Sequence, residues 1–62
     1  MDYLKKAIFE KETKIKTLKK EYKKAKKENE TLEMSMILML IEAFESQINY
    51  INDTGNLPPE ED

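Results

Sequence analysis

At 62 residues, with no cysteine and no histidine, the chain can form one small domain and cannot staple it with disulfides or histidine-ligated zinc. Oligomerisation is the remaining route to a stable core. The net charge of −2 hides a division: residues 1–27 hold all eleven lysines and four acids, a charge of +7, whereas residues 28–62 hold nine acids and no lysine, a charge of −9. Halves of opposite sign either lie against each other or meet different partners.

No proline precedes position 58 and no glycine precedes 55, so nothing in the backbone forbids helix from Asp2 to Asn52. In the first half Leu4, Ile8, Ile15, Leu18, Tyr22 and Ala25 recur in alternating steps of four and three once Lys11 fills a gap. That is a heptad seam, with Ile8, Ile15 and Tyr22 at a and Leu4, Lys11, Leu18 and Ala25 at d. It predicts a first helix over about 2–28. Lys16, Lys20, Lys23, Lys24 and Lys27 fall outside the seam, on the outer face, and Glu10–Lys14 and Glu12–Lys16 are spaced for helix-stabilising pairs.

The junction at 28–31 admits two readings. In the favoured one, the lysines at 23, 24, 26 and 27 close a first helix, Asn29 takes the left-handed position after it, and Thr31 caps a second helix. Glu28, Glu30 and Glu33 then gather at that helix's positive end, and the +7 half folds onto the −9 half. The alternative is one long continuous helix in a coiled-coil dimer: Lys24–Glu28 and Lys26–Glu30 would bridge it, and Asn29 at an a position would fix its register.

The second helix is expected over about 31–52. The register of the first half, carried forward, puts Asn29, Met36, Ala43 and Tyr50 at a and Leu32, Met39 and Ser46 at d. Most of the larger side chains, Ile37, Ile41, Phe44, Ile48 and Ile51, sit one position later, with Leu40 beside them. The apolar face therefore shifts by roughly 100° and widens. A helix apolar on most sides needs more cover than one narrow partner supplies. The fold class is accordingly all-α: a two-helix antiparallel hairpin over 1–52, with coiled-coil-like packing, that homo-oligomerises into a helical bundle. The expected oligomer or partner interface is Ile15, Leu18, Tyr22, Leu32, Met36, Ile37, Met39, Leu40, Ile41, Phe44, Ile48 and Ile51. Residues 53–62 are expected to be a disordered acidic tail.

Function is constrained mostly by exclusion. The apolar run Met34–Ile41 spans eight residues, under half of the ~20 a membrane helix needs, and no secretory leader is evident. The expectation is a cytoplasmic protein with no membrane association. The tripeptide Asp53-Thr54-Gly55 occurs in aspartic proteases, but after a helix it reads as a helix stop, with Gly55 left-handed and Leu57 folding back. Glu42 and Glu45 lack the histidine that carboxylate-bridged metal sites in bundles require. With cysteine and histidine missing, no nucleophile–base pair can be assembled. No catalytic, cofactor or metal site is expected. The expected role is a non-enzymatic regulator or inhibitor, of host or phage type, that binds another protein through an oligomeric bundle. One alternative is nucleic-acid binding through Lys16, Lys20, Lys23, Lys24 and Lys27. A third possibility is a pure oligomerisation or scaffold element.

Overall fold

The computed structural model describes residues 3–59. The expected helix start at residue 2 and the last three acids of the tail, at 60–62, lie outside the described residues. Two helices, α1 (Tyr3–Lys27) and α2 (Thr31–Thr54), pack along their lengths as an antiparallel hairpin of 40 × 20 × 18 Å. The single continuous helix is not what the chain forms.

Lysine and glutamate, which dominate α1, lose little rotamer freedom in a helix. Lys24, Lys26 and Lys27 stand in its last turn, where cations meet the negative end of the helix dipole. The reversal follows at once. Asn29 has φ 58°, and among the described residues it is the non-glycine residue with positive φ. The Asn29 N–H donates to the Lys26 carbonyl (3.2 Å) and the Glu30 N–H to the Ala25 carbonyl (2.9 Å). This pair of bonds is the Schellman pattern, which satisfies carbonyls orphaned at a helix end. Asparagine tolerates the left-handed region better than other side-chain-bearing residues.

Helix α2 starts with no intervening loop to spare. Its N-cap is Glu30, with no side-chain capping bond, and Thr31 is already helical. The expected Thr31 cap is thus displaced by one residue. The reason is the tightness of the turn: Glu30 closes the Schellman pattern of α1 through its N–H and opens α2 through its carbonyl, which accepts from Met34 N–H at 2.9 Å.

The heptad seam of α1 meets α2 as the spacing predicts. Lys11, Ile15 and Ala25 are buried on α1, and Ile37, Ile41 and Ile51 on α2. Leu18, Tyr22, Met34, Phe44 and Ile48 pack against the cluster of Ile15, Ala25, Ile37 and Ile41. Met34, Ile37, Ile41, Phe44, Ile48 and Ile51 repeat in steps of three and four, so this shifted register is the one α2 turns toward α1. Lys11 is only 7% exposed, in keeping with a long aliphatic stem that can cover apolar surface.

At the C-terminal end α2 runs two residues past the expected boundary at 52. Asp53 and Thr54 belong to α2, and Gly55 follows at φ 73° with its N–H donating to the Ile51 carbonyl at 2.8 Å. That is the left-handed helix stop expected of this glycine. Beyond it Leu57 is half-buried and Pro58 fully buried. The polar composition of this segment concealed two residues that the reversal at Gly55 carries back into cover.

The turn generates a prediction. Replacing Asn29 with Gly, which reaches positive φ without penalty, should leave thermal stability unchanged or slightly higher. Asn29→Val should destabilise by about 1–2 kcal/mol or more, because a β-branched side chain is strained in the left-handed region. Thermal denaturation by circular dichroism measures both, and equal stabilities would contradict the turn.

Candidate interaction surface

A helix packed on one neighbour buries one stripe and should leave the rest polar. Helix α2 departs from this. One or two residues before its seam positions runs a second stripe, rotated by roughly 150°: Leu32, Met36, Met39, Ala43 and Tyr50, with Leu40 between the two. Leu32 is 75% exposed, Met39 70% and Met36 56%; Leu40, Ala43 and Tyr50 are exposed as well. No charged residue stands among Leu32, Met36, Met39, Ala43 and Tyr50, and exposed Glu33 borders the stripe on the side of Leu40. The stripe follows the register carried forward from the first helix, so both registers visible in the sequence are real. The shifted one faces α1 and the unshifted one faces outward.

The expected interface residues accordingly divide. Ile15, Leu18, Tyr22, Ile37, Ile41, Phe44 and Ile48 are gathered in or against the intrachain cluster, and Ile51 is buried near the end of α2. Leu32, Met36, Met39 and Leu40 are left on the surface. Periodicity gives the angle of a side chain on its helix but not which neighbour covers it, and the twelve were therefore grouped as one surface. Tyr50, read from sequence only as a register position, belongs with the exposed group. Leu38 is also exposed, on the other side of the seam.

Both flanks of the hairpin are charged. An open groove of about 550 Å³ on one of them is lined by Glu12, Ile15, Lys16, Lys19, Glu45, Ile48 and Asn49. Lys16, Lys20, Lys23, Lys24 and Lys27 are all exposed, and the first four-three-four steps of this set, 16, 20, 23 and 27, form a column along α1. Lys16 shares its groove with Glu12 and Glu45, so an approaching phosphate meets mixed charge at that end.

Two contacts lie beside the apolar face. The Lys14 ammonium sits over the Phe44 ring at 5.5 Å from its centroid, a cation–π contact that the seam spacing did not signal. Gln47 hides its Oε1 with no hydrogen-bond partner, an arrangement that typically costs about 1–3 kcal/mol. Gln47 lies between the two stripes, so the hairpin alone leaves a polar group unsatisfied next to the face it leaves uncovered.

Other chemistries find little footing. Among the described residues no three acids, histidines or cysteines come together as a group able to hold a metal ion, and no helix is long and apolar enough to cross a membrane. Asp53 of the protease-like tripeptide is exposed in the last turn of α2. No family model, curated protein or solved structure matches the chain.

The division of α2 is testable by charge insertion. Ile41→Asp should abolish the helical signal, since a buried unpaired charge costs several kcal/mol. Leu38→Asp, on an exposed position outside both stripes, should change stability by no more than about 0.5 kcal/mol. Circular dichroism with urea titration reads the difference, and comparable losses would contradict the assignment of the inner seam.

Proposed function

We propose that this chain is a non-enzymatic interaction protein that self-associates through the uncharged face of α2 and acts by binding another protein. The observation that carries this reading is the exposed row of Leu32, Met36 and Met39, with exposed Leu40 beside it. Exposed apolar rows of this kind mark interaction sites on soluble domains. Methionine, flexible and polarisable, suits a surface that adapts to more than one partner. The small intrachain core supports the same reading: among the described residues it consists of Ile15, Ala25, Ile37, Ile41 and Ile51, with Pro58 buried at its end, few for a domain that must be stable by itself. A cytoplasmic regulator or inhibitor, of the type that phages and their hosts use, fits a chain of this size with neither cysteine nor histidine.

Nucleic-acid binding is the second reading, favoured by the exposed column of Lys16, Lys20, Lys23 and Lys27 with Lys24 beside it. Mixed charge in the groove at Lys16 counts against it. A scaffold element would use the same apolar face for self-association alone.

Self-association makes the melting temperature depend on protein concentration, because assembly stabilises the folded state by mass action. The expected result is a transition that rises between micromolar and hundred-micromolar chain, with a dimer or larger species in sedimentation. Met36→Lys with Met39→Lys should lower the sedimenting mass and remove the concentration dependence. A wild-type monomer with a concentration-independent transition would contradict the proposal. Changing the five lysines to Gln should leave assembly and partner binding intact, and strongly salt-dependent binding of random DNA or RNA, lost in that variant, would instead favour the second reading.

A further inference from the structure

Resting on that reading, we infer that the occupant of the outer face of α2 is a second copy of the same helix, antiparallel about a two-fold axis level with Ile41. The stripe is asymmetric in bulk. Its first half carries Leu32, Met36 and Met39, and its second half carries Ala43, Ser46 and then Tyr50. Antiparallel alignment about residue 41 sets Met39 opposite Ala43 of the other copy, Met36 opposite Ser46, and Leu32 opposite Tyr50. Large then meets small in the two central layers, which is how facing positions fill space without voids. Parallel alignment would put Met against Met and then leave two successive layers, Ala on Ala and Ser on Ser, nearly empty.

Charge points the same way. Lys23, Lys24, Lys26 and Lys27 crowd at the turn end. Parallel copies would bring two such clusters together, whereas antiparallel copies place them at opposite ends of the assembly. Lys14 over Phe44 fixes the level of α1 against α2, and it places Leu18 close to the level of Ile41. The lysine column lies on α1, clear of the contact.

A nitroxide at Asp53→Cys, in a chain that has no native cysteine, tests this without touching the stripe. Asp53 is exposed and lies 12 residues beyond the axis, so the two labels should be about 36 Å apart or more, from ~1.5 Å rise per residue. The companion variant Ala43→Met should raise the dimer dissociation constant about tenfold or more, since two methionines would then compete for one layer. A label separation under roughly 20 Å, or tighter association of Ala43→Met, would overturn the antiparallel pairing while leaving self-association standing. A monomer with no intermolecular distance would overturn both.

Discussion

Everything in this structure depends on the left-handed turn at Asn29 and the seam it closes. A residue at φ 58°, followed by a helix start with no linker, turns a chain that has no glycine or proline in its first 54 residues into two antiparallel helices. Without that reversal the α1 heptads would pass smoothly into the unshifted register of α2, and the larger isoleucines would spiral away from any common partner. With it, Ile15 and Ala25 meet Ile37 and Ile41, and the lysine-rich half lies beside the acidic half.

Closing the seam with one register of α2 leaves the other unused. The surface it leaves is a row of leucine and methionine bounded by α1 on one side and by the polar back of α2 on the other. The apolar row lies on the outer side of α2, and both flanks of the hairpin are charged: one holds Glu12, Lys16, Lys19 and Glu45, the other Glu21, Lys24, Glu28 and Glu33. A hairpin with one apolar side has a direction in which to assemble. That directionality, more than any single residue, is what the fold contributes to function.

Much of this was legible in the residues. The α1 seam, Asn29 as the left-handed residue and Gly55 as the helix stop each follow from a local rule, and local rules need no knowledge of the neighbour. The cap at the start of α2 was misplaced because Glu30 serves both helices at once, a coupling that single-helix capping patterns do not contain. Pro58 escaped notice because its burial depends on where the chain goes after Gly55. The candidate interface was found as a set of residues but not as two faces. Met36 and Ile37 are adjacent and equally apolar, and only the position of α1 decides which of them is covered.

The distance between nitroxides at Lys16 and Glu45 within one chain, measured after dilution with unlabelled protein, tests the reversal most directly. Both residues line the same groove of the hairpin, on helices whose axes should lie about 8–10 Å apart. The turn at Asn29 therefore predicts a separation below roughly 20 Å for these labels. A continuous helix would hold them about 44 Å apart, from 29 residues at ~1.5 Å rise, and that longer distance would contradict the hairpin and every surface assigned from it.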